Sequence, residues 1–383
     1  MRYLLLRMKR FCGFITGFVF FISGILKLMD PVGTGLIIKE YYDFLHISFL
    51  KPTAKVVGAF MALAESLIGT GLITGVWKRN IARAAIALQG FFTLITLILV
   101  IFNPPMDCGC FGEAIHLTHK ETFIKNLILM GLLLIYYIPA RHLEYTKKRK
   151  YISFSIVTAS VIMFMIYSWA YMPLVEFTDF TPGSSLKSGS QEVEYEAVFV
   201  YEKDGKQERF SLDNLPDSTW QFVNTETVVK SEGKAGAHSL SFYNDKGEYA
   251  DSLATKDKVL VVSLYDTDIN EKKWKRLDTF IKDAESTGFK VLLLTSSPVD
   301  HNADTFTADY KTLLTLNRSN GGITYFQNGY LISKWSMRGH PDTEGLSQVF
   351  SEDITEGIIG KETQESLTFQ AFLLYVFAVM LLL

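Results

Sequence analysis

The sequence predicts two architectures in one chain: an α-helical membrane bundle with six transmembrane helices, and an α/β domain outside the membrane. Three observations carry this. Six apolar runs approach or reach the roughly 17–25 residues that cross a bilayer core. The formal net charge of -2 conceals a split. Residues 175–365 hold 32 acidic and 20 basic groups, net -12, and the remainder holds 18 basic and 8 acidic groups, net +10. The basic portion carries the apolar runs, and the acidic portion carries mixed strand and helix patterns. With 48% hydrophobic residues the chain is too apolar for a disordered or nucleic-acid-binding protein, and three cysteines in 383 residues exclude a disulfide scaffold.

The expected spans are Phe11–Met29, Ala54–Trp77, Ala82–Phe102, Ile124–Ala140, Tyr151–Met172 and the short Leu367–Leu383. They divide the chain into a four-helix portion at 1–150, a fifth helix at 151–174, a soluble domain at 175–365 and a closing helix at 366–383. The first run follows Arg2, Arg7, Lys9 and Arg10, yet it reads as a span and not a signal peptide, because no small-residue cleavage site follows it and more spans do. Lys78, Arg79 and Arg83 separate spans two and three; Arg141 and Lys147–Lys150 separate spans four and five. The positive-inside rule puts these segments in the cytoplasm together with both termini. The acidic domain then lies outside the cytoplasm.

Within that domain, residues 193–201 and 207–212 alternate around Lys203-Asp204-Gly205-Lys206, a hairpin signal. Lys258–Leu264 and Phe289–Thr295 read as buried strands. Between them Asn270–Thr287 has helical spacing, with Trp274, Leu277, Phe280 and Ile281 on one face and Asp268 or Asn270 as its cap. Gly322–Phe326 and Tyr330–Trp335 flank Gln327-Asn328-Gly329, a second hairpin. Strand, helix, strand and hairpin is the order of a thioredoxin-like core. The stretch where that family carries its redox cysteines is Tyr265-Asp266-Thr267-Asp268, so this domain reads as a docking module without disulfide chemistry of its own.

The chemical lead is Asn103–Gly112, NPPMDCGCFG, directly after span three on the outer side. Prolines end the helix. Cys108-Gly109-Cys110 then sets two thiols two residues apart, near the upper limit of disulfide reach, where a bond is strained and therefore oxidising. Three readings stand: a redox-active pair, a static loop disulfide, and a metal site completed by His116 and His119, since two thiolates and two imidazoles suit tetrahedral zinc. Cys12, at the cytoplasmic end of span one, reads as a packing residue.

Ionisable residues inside spans are functional candidates by default. Glu65 lies mid-span in span two and needs a partner, for which Gln89 of span three is a candidate. Lys27 near Asp30 and Lys125 beside Asn126 sit at outer ends of their spans, where snorkelling to the interface is the plain reading.

These residues carry a resemblance. Ser23-Gly24-Ile25-Leu26-Lys27-Leu28-Met29-Asp30-Pro31, Glu65 and Cys108-Gly109-Cys110-Phe111-Gly112 together resemble the DoxX/MauE group of four-helix membrane proteins over about the first 140 residues. The remainder resembles a Bacteroidetes-type DoxX architecture with an added outer domain, through Met172-Pro173-Leu174-Val175-Glu176-Phe177 and Asn317-Arg318-Ser319-Asn320-Gly321-Gly322. The resemblance implies a bacterial inner-membrane protein that exchanges disulfides with periplasmic dithiols at Cys108 and Cys110. It further implies electron transfer to a membrane acceptor such as a quinone, held near Lys27, Glu65 or Lys125. Membrane lipid and a periplasmic thiol or protein are the implied partners; nucleic acid is not. The rival is a non-enzymatic assembly or scaffold protein with a static Cys108–Cys110 disulfide.

Overall fold

The structure is a computed structural model that describes residues 2–104, 106–115, 117–138, 146–171, 173, 177–186, 195–203, 206–211, 220–229, 237–238, 240–299, 304–352 and 354–382. The helical part opens with α1 (Arg2–Met29), α2 (Pro31–Phe44), a 3-10 turn at Ser48–Thr53, α3 (Ala54–Thr74) and α4 (Lys78–Phe102). A short strand β1 (Cys110–Glu113), α5 (His119–Tyr137) and α6 (Lys148–Ala170) follow. Among the described residues, four helical segments are long and apolar enough to cross a membrane: Arg7–Met29, Ser48–Thr74, Lys78–Phe102 and Lys148–Ala170. The expected fourth span is the 19-residue α5, whose first turns carry Lys120, Glu121 and Lys125. The expected sixth falls within α10 (Ile354–Leu382), where the apolar stretch is the shorter Leu367–Leu381.

The tightest packing joins α1 to α3. Lipid offers no hydrophobic drive for helix association, so close approach relies on small residues. A Cβ on Gly24 would strike Ser66 and the Ala62 carbonyl, and one on Gly69 would strike the backbone of Phe21 and Gly17. On one flank of this pair, Phe20, Leu72, Ala82, Ala85, Leu133 and Tyr136 join α4 and α5 to it. On the other, Phe21, Ile25, Val157, Val161, Phe164, Val376 and Met380 bring in α6 and α10. The Ser153 hydroxyl donates to the Val379 carbonyl (2.7 Å), and Thr146 donates to the Gly75 carbonyl (2.6 Å). The start of α6 thus lies beside the ends of α3 and α10. The end of α1, α2 and the cysteine loop lie at the opposite end, against the α/β domain that follows.

That domain contains β2 (Ser185–Leu186), β3 (Tyr195–Lys203), β4 (Lys206–Ser211), β5 (Gln221–Val229), β6 (Ala237–His238), β7 (Phe242–Tyr243), β8 (Lys258–Leu264) and α7 (Glu271–Thr287). It continues through β9 (Lys290–Thr295), β10 (Thr305–Ala308), α8 (Tyr310–Leu316), β11 (Gly322–Gln327), β12 (Tyr330–Trp335) and α9 (Thr343–Ser351). An eight-stranded curled sheet has the order β6-β2-β12-β11-β8-β9-β10-β7, with β8, β9 and β10 mutually parallel and β11 antiparallel to β8. Strands covered on both faces read as unbroken apolar runs, and Lys258–Leu264 shows why: Val259 and Val261 join Leu313 and Leu316 of α8 on one face, while Leu260, Val262 and Leu264 meet Leu277, Phe280 and Ile281 of α7 on the other. Asn270, not Asp268, caps α7 by accepting from the Lys273 N–H. The β11–β12 hairpin turns through Asn328 (φ 50°) and Gly329 (φ 81°), the left-handed pair that Asn-Gly favours.

The first sequence hairpin is β3–β4, where Lys203 pairs with Lys206 across the two residues 204–205, themselves outside the described set. It belongs to a separate three-stranded sheet, β4-β3-β5. The third strand, Gln221–Val229 (QFVNTETVV), has no regular apolar–polar alternation to announce it. In the resemblance segment 172–177, Met172 and Leu174–Glu176 likewise lie outside the described residues.

Candidate functional site

The residues of the Ser23–Pro31 stretch act as a unit because α1 ends at Met29 and α2 starts one residue later. Asp30 caps α2 by accepting from the Gly33 N–H (2.8 Å), and Pro31 occupies the first turn, where its missing N–H costs nothing. The expected outer loop 30–53 is therefore largely helical, and Asp30-Pro31 was the signal for it. One helical turn before Asp30, Lys27 points inward. The expectation of snorkelling fails here: Lys27 is 4% exposed and its ammonium donates to both Glu65 oxygens (2.8 Å each) and to Ser23 Oγ (2.9 Å). All three of its protons are thereby used. Gln89 is not the partner of Glu65. It donates to the Asn126 carbonyl (3.1 Å), while Asn126 donates to Thr96 Oγ1 (3.2 Å), and these residues tie α4 to α5.

The cysteine loop leaves α4 at Asn103, which is left-handed (φ 42°), and is anchored by its backbone. Tyr41 of α2 donates to the Cys108 carbonyl (2.9 Å). Ser23 Oγ lies 2.7 Å from the Cys110 carbonyl and 2.6 Å from Glu65 Oε2. Gly109 takes φ 64°, and a Cβ there would also collide with Ile37 of α2, so glycine is required on two counts. The loop brings the two sulfurs to 3.4 Å as free thiols, with Cys108 buried and Cys110 half-buried. Hydrogen bonding from Cys108 pulls Cys110 down to about 6, and the Lys125 and Lys27 charges act in the same direction. The same contact, with burial, pushes Cys108 upward. Burial also pushes the Tyr41 hydroxyl up, so it stays a donor.

Both cysteines line a cavity of about 180 Å³ together with Ser23, Lys27, Thr34, Tyr41, Glu65, Gln89, Lys125 and Asn126. The remaining wall is apolar: Phe20, Phe92, Ile95 and Leu129, with Val57 of α3 and Phe91 of α4, which are also exposed on the bundle surface. The cavity thus reaches an apolar flank of the bundle. Lys125 rests its ammonium 4.5 Å from the Phe111 ring centre and has no hydrogen bond or ion pair among the described residues.

The structure therefore places Cys108, Cys110, Lys27, Glu65 and Lys125 around one cavity. His119 stands apart, its Nε2 against the Pro104 carbonyl (3.1 Å), and His116 lies outside the described residues. Among the described residues, no group of three or more His, Cys, Asp or Glu side chains is arranged to hold a metal ion. Cys12 is buried, and its carbonyl accepts from Thr16.

Sequence reasoning missed Tyr41, Thr34 and Arg318. Arg318, from the loop after α8, sets Nε 2.9 Å from Asp30 Oδ2 and an Nη 3.8 Å from Glu113. Asp30 thus serves the α/β domain, and Lys27 serves Glu65.

Residues 2–139 match the family model of the methylamine utilisation protein MauE. The N-terminal portion is a MauE-like multi-pass membrane module. Residues 195–232, which hold the three-stranded sheet, match a domain of unknown function, DUF8463. Neither the curated proteins nor the solved structures yield a match to the chain.

Proposed function

We propose that the chain is a membrane thiol–disulfide redox protein that oxidises dithiols on the outer side of a bacterial inner membrane and passes the electrons to a quinone. The observation that carries this reading is the placement of two thiols 3.4 Å apart in the wall of an apolar-flanked cavity that also holds Lys27, Glu65 and Lys125. The MauE-like module supports it through the implied link to disulfide formation.

In the oxidised protein a substrate thiolate attacks the Cys108 sulfur, and the Lys125 and Lys27 charges favour Cys110 as the leaving thiolate. A mixed disulfide forms and the Cys110 thiolate departs. The second substrate thiolate then attacks the substrate's sulfur in that bond, releasing Cys108. The substrate leaves as a disulfide, and the reduced pair holds its two electrons, with Cys108 taking up a proton and Cys110 left as the thiolate. A quinone, when bound, supplies an acceptor for both electrons. The residues present fit such a group: apolar walls suit a ring and tail, and a few convergent polar groups suit its oxygens. Lys125 keeps its N–H donors for an oxygen, whereas those of Lys27 are spent on Glu65 and Ser23. Tyr41 and Ser23 hold the loop while its sulfurs change state.

The proposed placement has six spans, both termini in the cytoplasm and the acidic domain in the periplasm. It is supported by the basic segments at 78–83 and 147–150, which belong to the end of the bundle away from that domain. The strand order β12-β11-β8-β9, with α7 linking β8 to β9, supports a thioredoxin-like reading of the outer domain. All three cysteines precede residue 111, which leaves that domain a docking role.

Alkylation-shift assays in cells, with and without quinone depletion, test the proposal. Cys108 and Cys110 are expected to accumulate as thiols when quinone is depleted. A pair that stays oxidised in both conditions, or a Cys108→Ser, Cys110→Ser variant with full function, would overturn it.

A further inference from the structure

The outer domain does more than stand beside the bundle. Its Arg318 is 5% exposed although it carries a full charge, and the Asp30 it meets is 3% exposed. Burying a charge is costly unless it is paired, so the contact has a structural cause on each side.

On the outer-domain side, the cause is Asn317. It is fully buried, and its amide lies within 3.2–3.3 Å of the Ile323 carbonyl, Thr324 Oγ1 and the Trp335 carbonyl, while its Oδ1 accepts from the Ser319 N–H (3.0 Å). Asn320 exchanges a second pair of bonds with the backbone of Asp266. The Asn317–Gly322 stretch is thus fastened to β11, β12 and the loop after β8, and it presents Arg318 from a rigid base.

On the membrane side, Arg318 meets the starts and ends of the elements that hold the cysteines. Asp30 begins α2, which carries the Tyr41 that holds the Cys108 backbone. Glu113 ends β1, which Cys110 begins. The same face is secured by Lys39, whose ammonium meets the Tyr310 hydroxyl (3.0 Å), and by Lys311 against Glu40 (3.1 Å).

We propose that Arg318 is a positioning residue for the thiol pair: by gripping Asp30 and Glu113 together, the docked outer domain sets where the Cys108–Cys110 loop sits over the cavity. The chemistry it serves rests on the redox reading above, whereas the positioning itself does not.

The test uses the full-length protein in detergent, reduced, as wild type, Arg318→Gln and Glu113→Gln. Glu113→Gln leaves the Arg318–Asp30 pair in place, so it reports even where Arg318→Gln folds poorly. Two readouts are followed: the pH dependence of Cys110 alkylation by a small maleimide, and the equilibrium of the pair with glutathione. The cations acting on the Cys110 sulfur are Lys125 and Lys27, so a change in either variant reports loop position and not the loss of a direct charge. The expected result is an alkylation midpoint about one unit higher in Arg318→Gln, a smaller rise in Glu113→Gln, and a glutathione equilibrium displaced about fivefold or more in Arg318→Gln. Unchanged midpoints in both variants, with wild-type elution, overturn the positioning role. Shifted midpoints in a pair that never equilibrates with glutathione overturn the redox reading and leave the positioning role standing.

Discussion

Lys27 and Arg318 are both buried cations at the end of the bundle that meets the α/β domain, and they are held in opposite ways. Lys27 is enclosed by its own module, with every proton given to Glu65 or Ser23 and the aromatic face of Phe92 at 5.6 Å. Arg318 is delivered from another domain. Its Nε approaches Asp30 at 2.9 Å without the alignment of a hydrogen bond, and its contact to Glu113 is 3.8 Å. The first pair is part of how the helices fold. The second depends on two domains being docked. The difference teaches that charge burial here marks two separate assembly steps, and each can be disturbed alone.

The largest effect is expected at the enclosed pair. Glu65→Ala strands a buried ammonium and should lower stability by about 3–5 kcal/mol, read as loss of the monodisperse peak on heating in detergent. The double variant Lys27→Met, Glu65→Leu should recover most of that loss, and failure to recover would break the view of the pair as a self-contained unit. Next comes the pair between domains. Arg318→Ala should cost at most about 3 kcal/mol and should appear as faster proteolysis at the domain junction, with the melting of the bundle itself little changed.

A smaller loss is expected for Asn317→Ala, about 1–3 kcal/mol from stranded acceptors, confined to outer-domain unfolding in hydrogen exchange. The sulfur chemistry gives a pH test. In the reduced protein, alkylation of Cys110 should rise with pH through about 6 and level off above it, because only the thiolate reacts. Cys108→Ala removes the bond that holds the anion down, so the midpoint should move upward. The smallest effect is expected for Thr118→Ala, which breaks the capping box with Glu121 that starts α5 and should cost about 1 kcal/mol.

What the sequence disclosed depended on the range of the physics. Period and composition are local, so the long helices, the buried strands β8 and β9 and the Asn-Gly hairpin were readable residue by residue. The closeness of the two thiols in Cys108-Gly109-Cys110 was readable for the same reason. Pairings are not local. Glu65 demanded a partner, but nothing in the chain's order told Lys27 from Gln89 until α1 and α3 were seen to cross at Gly24 and Gly69. Helix α2 was missed because a 14-residue amphipathic segment is too short to register as a span, even though Asp30-Pro31 announced its start. Arg318 was quoted only as part of a resemblance, and its role appeared once Asn317 was seen to fix the loop that carries it.

The hydroxyl of Ser23 has one hydrogen and two acceptors within reach, the Glu65 carboxylate and the Cys110 carbonyl, while Lys27 supplies its incoming donor. Only one of the two oxygens can be served at a time. The single Ser23 hydroxyl thus ties the ionic centre of the bundle to the backbone of the sulfur loop. The carbonyl stretch of Cys110, isolated by isotope labelling, is therefore expected to report which of the two oxygens the Ser23 hydroxyl serves.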